Sequence, residues 1–433
     1  MEAVGARVLE APSVEYANEI VHPVMGAWNL VRKQFIHPAT LSNWGVVICD
    51  KTEGCGACVR LHQVERFYSK LCREAQKCGM DVLNLRPVIV SSEDAPQATI
   101  EDLITECFER LERDSSSRWG PPQLVLVIKP DEDAGVYQDI KRVCHTVLGV
   151  PSQCITTQLM HRANAQIMAS ICLKINSKLG GLSSVLPEGM LPLVHDAPTI
   201  ILGADVANPR LESSSHPPVS VVTASLDRYS SKYAARLAVQ DGPNEFSHLP
   251  RMFWELFREY YKHSRCKPQH VVYFRSGVAS SRLHDVVQAE MRALRKAFRM
   301  LEANYEPLVT FIMVNENHHV RLFVPEGSVR NSQDRSGNPV PGTIVDKGAL
   351  VDPQRFDFFL VGHSSIQGTS VPTQYTLLVD ENKLGPDKIE KLTYRLCYSY
   401  ARCTRSVHGE NSPAVAILSR HARVLVDGLV TVR

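Results

Sequence analysis

The sequence predicts two α/β domains in succession, and three observations support this prediction. Short apolar runs alternate with segments of helical periodicity from about residue 44 to residue 180, a pattern typical of a parallel sheet covered by helices. Gly180-Gly181, followed by Pro187 and Pro198, marks a boundary. Beyond it, three strand-like segments precede a second alternation of helices and strands. The length of 433 residues also exceeds what one hydrophobic core supports.

Composition argues against a disordered chain and against a membrane protein. Hydrophobic residues make up 44% of the chain and charged residues 22%, close to the globular average. No apolar run approaches the length that spans a bilayer. Residues 1–7 lack the basic start and the apolar stretch of a signal peptide, so we expect a cytoplasmic protein, with the nucleus as the alternative. We expect a monomer without a membrane partner.

The cysteines and the net charge narrow the kinds of site that the chain could carry. Several of the 12 cysteines, such as Cys49 and Cys172, lie inside apolar runs, which is typical of reduced core thiols. Cys55 and Cys58 form the only C-x-x-C pattern, and we expect a turn there rather than a metal site. The net charge is only +2, so a nucleic-acid site requires a local concentration of lysine and arginine.

Residues 1–45 predict an extended segment that lies across another part of the protein, because they contain Pro12, Pro23 and Pro38 and show little periodicity. From residue 46 onward the pattern predicts alternating strands and helices at residues 46–49, 61–78, 82–90, 100–113 and 124–129. Such alternation gives parallel strands, and ligands bind beyond their carboxyl ends. Residues 129–135 follow such a strand and lead into the next predicted helix, and a plain surface turn is the default interpretation of this loop.

The second predicted domain begins with an apolar run at residues 198–206 that contains Asp205 near its end, which predicts a buried strand carrying a carboxylate. A turn at residues 227–231 separates the next two predicted strands. The pattern then predicts helices and strands in alternation at residues 249–263, 270–274, 283–304 and 308–314. Strands followed by such alternation fit an RNase H-like fold.

Residues 136–181 carry polar side chains at helical spacing. One predicted helix puts Tyr137 and Lys141 a turn apart on one face, and a second puts Lys174 and Lys178 in the same relation. Three lysines that converge repel one another unless an anion lies among them, while a phenol and an amide add hydrogen-bond donors. A phosphate is the simplest occupant. Ordinary solvated lysines on amphipathic helices are the alternative that spacing leaves open.

Five residues of this segment resemble, in order and spacing, the MID domain of eukaryotic Argonaute proteins: Tyr137, Lys141, Gln153, Lys174 and Lys178. The resemblance implies a linker segment over residues 1–45 and a Rossmann-like MID domain over residues 46–180. In that family the matching residues hold the 5′-phosphate of a guide RNA, and the tyrosine also stacks on the first base. The resemblance implies a part in the same pocket for Cys154 and for Arg423.

The second predicted domain resembles the PIWI domain of Argonautes in phrases at residues 201–206, 318–323, 356–360, 366–370 and 402–407. The resemblance implies an RNase H-like PIWI domain over residues 181–433. It covers the MID–PIWI lobe alone, without the N-terminal and PAZ domains of the family. It also implies contacts to the guide backbone from Arg321, Gln367, Thr369, Arg402 and Arg405.

Argonautes that cut RNA hold two Mg²⁺ ions with Asp, Glu, Asp and then His or Asp. Asp205 matches the first catalytic position and is the candidate metal ligand, and Glu245 is a candidate for the second. Ser276 stands at the third position, where a neutral hydroxyl is a weak ligand for Mg²⁺. The fourth position falls near Ala416 or Leu418, and neither side chain binds metal. We therefore expect a vestigial site that could still take Mg²⁺ or Mn²⁺, on a lobe that binds a guide without cutting.

Two other functions stay open at this point. An active Mg²⁺-dependent, guide-directed RNA endonuclease would need His421 or another residue to supply a missing ligand. A guide-independent protein scaffold would keep only the fold. For Asp205, the structural alternative is a carboxylate that caps the next turn.

The resemblance implies three partners in RNA-mediated gene silencing. They are a small guide RNA with a 5′-phosphate, a complementary target RNA and Gly-Trp-rich proteins. The helix around Trp254, with Lys267 after it, corresponds to a region where the family forms pockets for tryptophan side chains. An ordinary core helix is the alternative for this segment.

Overall fold

The computed structural model describes residues 2–49, 59–114, 119–130, 134–207, 217–240, 248–278, 280–315, 317–325, 327, 332–352, 355–365 and 367–407. They form an α/β architecture around two main sheets, one of four strands and one of nine. This architecture confirms the predicted fold class. Within the described ranges, no helix is both long enough and apolar enough to cross a membrane. The ten cysteines in these ranges are not joined in disulfides.

The N-terminal segment is extended and contains four short strands, β1 to β4, at Arg7–Val8, Val14–Glu15, Ile20–Val21 and Thr40–Leu41. As predicted, it lies across other parts of the protein. Arg7 pairs with Ile344 of the larger sheet. Trp28 stacks on Tyr398 with the ring centroids 6.1 Å apart, and its indole Nε1 donates a hydrogen bond of 2.8 Å to the hydroxyl of Tyr16.

The first domain is a parallel sheet between helices. Its elements are β5 (Trp44–Ile48), α1 (Leu61–Lys77), β6 (Asp81–Val82), β7 (Val88–Ser91), α2 (Ile100–Asp114), β8 (Leu124–Lys129), α3 (Ala134–Arg142), β9 (Ser152–Thr156), α4 (Thr157–Arg162) and α5 (Ala165–Lys178). The strand order is β7-β5-β8-β9, with all pairs parallel. Strand β8 reads as a continuous apolar run because successive side chains enter the two cores on opposite faces of the sheet.

The prediction of a single strand over residues 82–90 is wrong. The structure contains two short strands there: β6 pairs with β4 outside the main sheet, and β7 joins the main sheet beside β5. Pro87 lies between them, and a proline has no N–H for a strand ladder. The side chain of Asn84 accepts a hydrogen bond of 3.0 Å from the backbone N–H of Arg86, which fixes the turn before the proline.

The second domain contains β10 (Thr199–Ala207), β11 (Val219–Ser225), β12 (Tyr233–Val239), α6 (Leu249–Ser264), β13 (His270–Ser276), α7 (Leu283–Leu301), β14 (Leu308–Asn315), β15 (Thr343–Val345), β16 (Asp357–Leu360), β17 (Thr373–Asp380) and α8 (Pro386–Leu396). The sheet order is β1-β15-β16-β17-β14-β13-β10-β11-β12. Strands β10, β13 and β14 run parallel at its centre, and their neighbours are antiparallel. The carboxyl ends of β10 and β13 therefore meet at one edge.

Helix α5 is held in place by the fully buried side chain of Asn176. Its Oδ1 accepts a hydrogen bond of 2.7 Å from the backbone N–H of Ala39, and its Nδ2 donates one of 2.9 Å to the hydroxyl of Ser183. A Cβ at Gly181 would lie 2.1 Å from that Oδ1, so the close approach requires glycine. The asparagine thus joins α5 to the linker segment and to the boundary between the domains.

The substitution Asn176→Ala should lower the free energy of unfolding by roughly 2–4 kcal/mol, because two buried polar groups lose their partner. The midpoint of urea denaturation measures the effect. The control is Ser177→Ala at the next, half-buried position, which should change the free energy by about 0.5 kcal/mol or less. Equal midpoints for the two variants would contradict the role given to Asn176.

Candidate functional site

Two lysine ammonium groups converge on one backbone carbonyl of the first domain. Lys141 Nζ donates to the carbonyl oxygen of Ser152 at 3.0 Å and to its hydroxyl at 2.8 Å. Lys178 Nζ donates to the same carbonyl at 2.6 Å and to Gln153 Oε1 at 2.7 Å. Among the described residues, neither lysine forms an ion pair with a carboxylate. The two positive charges are therefore compensated only by the dipoles of neutral groups.

Three elements bring these groups together. Helix α3 carries Tyr137 one turn before Lys141, and Lys141 Nζ lies 5.4 Å from the centroid of the tyrosine ring. Strand β9 supplies Ser152 and Gln153, and α5 supplies Lys178. Lys174 lies one turn earlier on α5 and is exposed. Of the residues predicted to group here, the structure brings together Tyr137, Lys141, Gln153 and Lys178, whereas Lys174 acts on the pKa of Lys178 only through its charge.

Arg402 brings a third positive charge to this cluster from the segment after α8. Its charge lowers the pKa values of Lys141, Lys178 and His145, although burial is the largest cause in each case. The sequence suggested a contact of Arg402 with the guide backbone and not a place at the lysines. No rule of sequence spacing could predict that Arg402 lies near the lysines, because Arg402 belongs to the other domain.

Burial and like charge together weaken the protonated state of the lysines. The pKa of Lys178 falls from 10.5 to about 7, first through burial and then through the charges of Lys141 and Arg402. Burial also lowers the pKa of Lys141. The pKa of His145 falls to about 4 through burial and the same cations, so its imidazole is neutral at pH 7. An anion bound here would stabilise the protonated lysines.

Cys154 follows Gln153 on β9 and is half-buried at the cluster. Burial raises the pKa of its thiol, although the charges of Lys141 and Lys178 act in the opposite direction. Its backbone carbonyl accepts a hydrogen bond of 2.9 Å from Gln153 Nε2. The neutral thiol adds a weak donor to the cluster but no charge. This arrangement suits anion binding and holds no activated nucleophile.

The other predicted guide contacts are spread over the second domain. The side chains of Arg321, Gln367 and Thr369 are exposed, and Arg405 is half-buried and bridged to Ala27 of the linker segment. Arg405 lies near the cluster, since its charge and that of Lys174 both act on the Cys403 thiol, whose pKa burial raises. Arg423, which was predicted to reach the phosphate pocket, lies outside the described residues.

The parallel register of β10 and β13 places Asp205 beside Ser276. The Ser276 hydroxyl donates a hydrogen bond of 2.8 Å to Asp205 Oδ1. A Cβ at Gly277, where φ is +75°, would lie 3.4 Å from the same oxygen. The serine therefore satisfies one lone pair of the carboxylate that matches the first catalytic position.

A buried network lies next to Ser276 on β13. Arg275 Nε lies 2.9 Å from Glu290 Oε1, and both side chains are almost inaccessible to solvent. The hydroxyl of Tyr273 donates a hydrogen bond of 2.7 Å to the other oxygen of Glu290. Glu290 is therefore committed to this network and is not free to serve as a ligand beside Asp205.

The described residues near Asp205 do not fit a two-metal centre. Within those ranges, no group of three or more His, Cys, Asp or Glu side chains could hold a metal ion. Two divalent cations require several anionic ligands, and here one carboxylate faces a hydroxyl that donates to it. The remaining candidate positions, Glu245, Ala416, Leu418 and His421, lie outside the described residues.

Two family models match the sequence: the Piwi domain over residues 124–415 and the Mid domain of argonaute over residues 22–111. The chain belongs to the Argonaute family. A relative from rice, Protein argonaute 1D of Oryza sativa subsp. japonica, is 37% identical over 431 residues. That match covers 93% of this Argonaute chain and 40% of the relative, so the chain spans less than half the length of the rice protein.

Two solved Argonaute structures share the fold. One is Kluyveromyces polysporus Argonaute with a guide RNA, with a TM-score of 0.83 and 20% identity, covering 99% of this chain and 51% of that one. The other is the C-terminal lobe of a budding yeast Argonaute, with a TM-score of 0.83 and 22% identity. That match covers 98% of this chain and 89% of the yeast chain. These matches confirm the resemblance and the Argonaute MID–PIWI fold class. The division at residues 45 and 180 and the roles of the site residues stay predictions.

The affinity of the lysine cluster for a phosphate should fall as the pH rises above about 7. A bound anion raises the pKa of Lys178 from its value of about 7, so binding takes up a proton when the lysine is otherwise neutral. We expect the Kd for a 5′-phosphorylated RNA to rise by up to about tenfold per pH unit above that pH. Fluorescence anisotropy of a labelled RNA measures this.

The control for the pH series is Lys178→Ala. It should bind the RNA more weakly and with a flatter pH profile, because the titrating group is gone. A monophosphate is already mostly a dianion above a pH of about 6, so the ligand itself contributes little to the slope. An unchanged slope in Lys178→Ala would assign the titration to another group.

Proposed function

We propose that this chain anchors the 5′-phosphate of a small guide RNA and presents the guide to complementary RNA in gene silencing. The observation that carries the proposal is the convergence of Lys141 and Lys178 on the carbonyl of Ser152, with Arg402 nearby and no carboxylate paired to either lysine in the described part of the chain. A phosphate dianion is the ligand whose charge matches this arrangement.

The groups around the lysines support a terminal phosphate on a nucleotide rather than a free anion. Tyr137 is half-buried beside Lys141 and offers a ring for stacking on a base. Exposed Lys174 lies at the rim, where it could meet the next phosphate. The solved Kluyveromyces polysporus Argonaute contains a guide RNA, and about half of that chain (51%) shares the fold of this one.

We also propose that the chain does not cut its target. Asp205 accepts a hydrogen bond from Ser276, which stands at the third position, where the cutting members of the family have an aspartate. Compared with an aspartate, a serine at this position provides one negative charge fewer between the two expected dications. The binding of both ions is therefore weaker. A single Mg²⁺ or Mn²⁺ held weakly by Asp205 is compatible with this proposal.

A third proposal concerns Gly-Trp-rich partner proteins. A cavity of about 570 Å³ lies at the C-terminal end of α6, and its lining includes Pro198, Tyr260 and His195. Both ring nitrogens of His195 are buried and without a hydrogen-bond partner among the described residues. An indole has an apolar ring and one N–H donor, so it suits a cavity that offers an apolar wall and one imidazole acceptor.

The double substitution Lys141→Glu with Lys174→Glu should reduce binding of 5′-phosphorylated RNA by about a hundredfold or more, because it replaces two attractions by two repulsions. The measurement compares the same RNA with a 5′-phosphate and with a 5′-hydroxyl. The wild-type chain should prefer the phosphate, and the variant should lose that preference.

The matched control is Lys70→Glu with Lys296→Glu, two exposed lysines on α1 and α7 that give the same change of net charge. It should keep the preference for the 5′-phosphate. If the wild-type chain shows no such preference, or if the Lys141 and Lys174 variant keeps it, a guide-independent scaffold becomes the better account.

The guide-loaded chain should leave a complementary RNA intact in Mg²⁺ or Mn²⁺, because the expected metal ligands are incomplete. Loading is quantified first, and the target is then followed on a denaturing gel. Asp205→Ala is the control for trace nuclease. Cleavage by the wild-type chain that disappears in Asp205→Ala would show a working metal site and overturn the proposal.

A further inference from the structure

A positively charged groove lies between β12 and α6, away from the lysine cluster. Its volume is about 320 Å³, and it is lined by Trp254, two glutamates and four cationic side chains: Arg236, Arg251, Arg258 and Lys262. Four cations against two carboxylates leave an excess of positive charge. A local excess of this kind attracts an anionic partner even on a chain that is nearly neutral overall.

Both carboxylates of the groove are already engaged. Glu255 accepts hydrogen bonds from Arg236 Nε at 2.6 Å and from Arg251 Nε at 3.0 Å. Glu259 accepts one from Lys262 Nζ at 2.7 Å, and Arg236 lies 3.7 Å from it. The hydrogen bond from Arg236 lowers the pKa of Glu255, and the one from Lys262 lowers the pKa of Glu259. The glutamates therefore have little capacity left for another cation.

Arg258 differs from the other cations of the groove. Its guanidinium carbon lies 4.7 Å from the centroid of the Trp254 ring, and the side chain is exposed. No carboxylate pairs with it within the described ranges. Stacking on the indole fixes the plane of the guanidinium and leaves its N–H edge free for a planar or tetrahedral oxyanion. The groove thus presents one preorganised and unused anion donor.

We propose that this groove binds an acidic peptide segment through oxyanion side chains on Arg258, with Arg251 and Lys262 at either end. The three cations lie on one face of α6: Arg251 is seven residues before Arg258, and Lys262 is four residues after it. At the rise of a helix these intervals are about 10 Å and about 6 Å. An extended peptide covers about 3.3 Å per residue and points alternate side chains to the same face, so acidic side chains four and then two residues apart lie on one face at intervals of about 13 Å and about 7 Å, within reach of these long side chains.

The same groove suits a nucleic acid poorly. Single-stranded RNA binds through evenly spaced phosphates and through bases that stack on open aromatic faces. Here the Trp254 ring is covered by Arg258, and Glu255 and Glu259 lie between the cations. These carboxylates would repel a continuous phosphate backbone but leave room for separate acidic side chains. The arrangement therefore favours a peptide with spaced acids.

The test uses the 433-residue chain and a fluorescent peptide with glutamate at its first, fifth and seventh positions. A matched peptide carries glutamine at the same three positions, and a third carries phosphoserine at the fifth. Anisotropy at low and physiological salt gives each Kd. The glutamate peptide should bind and the glutamine peptide should not. Tighter binding of the phosphoserine peptide would identify a phosphorylated partner, and equal or weaker binding a partner with carboxylates alone.

The substitution Arg258→Glu should weaken binding of the glutamate peptide by about tenfold or more, and Arg258→Lys by several-fold, because lysine keeps the charge but loses the planar donor edge. The control Arg299→Glu changes an exposed arginine of α7 by the same charge and should alter the Kd by less than about twofold. Binding of 5′-phosphorylated RNA should be unchanged in Arg258→Glu, which shows that the variant is folded.

Three results would overturn the inference. Equal binding of the glutamate and glutamine peptides would remove the role of charge. An unchanged Kd in Arg258→Glu would remove the role of this groove. A 5′-hydroxyl RNA that displaces the peptide, and that itself binds only when Arg258 is present, would make the groove a nucleic-acid site. None of these results bears on the lysine cluster, so the proposed guide binding is tested separately.

Discussion

The convergence of buried ammonium groups on the carbonyl of Ser152 is the constraint on which the rest of the structure depends. Like charges that leave water repel one another and lose solvation, and the dipoles of a carbonyl, a hydroxyl and an amide offset only part of that cost. Rigid elements on every side are needed to hold such an arrangement. Strand β9 is fixed by its parallel pairing with β8, and α5 is fixed by Asn176. The protein maintains an unfavourable charge cluster that a ligand can relieve.

The cluster is complete only when the two domains are packed together. Lys141 and Lys178 belong to the first domain, whereas Arg402 follows α8 of the second. The same C-terminal region is held by the linker segment, since Trp28 stacks on Tyr398 and its backbone N–H donates to the carbonyl of Thr404 at 3.0 Å. Packing between the domains therefore sets the charge that a ligand meets.

Much of the fold and part of the site could be predicted from the sequence, because both depend on periodicity. Helical spacing located α3 and α5 and paired Tyr137 with Lys141. The acceptor of both lysines is a backbone carbonyl, which no residue type reveals. The place of Arg402 depends on packing between distant parts of the chain. The strands β15 to β17, none of which was predicted, follow irregular stretches and are too short or too irregularly patterned for an alternation rule.

Strand β1 also has a consequence for how the chain is made. Arg7 and Val8 of β1 pair with Ile344 and Thr343 of β15. In the sequence, the whole first domain therefore lies between two strands that are neighbours in one sheet. During synthesis, β1 leaves the ribosome long before its partner exists, because the first domain and much of the second must be made before β15. Ribosomal pausing or premature termination before β15 would therefore leave β1 without its partner strand.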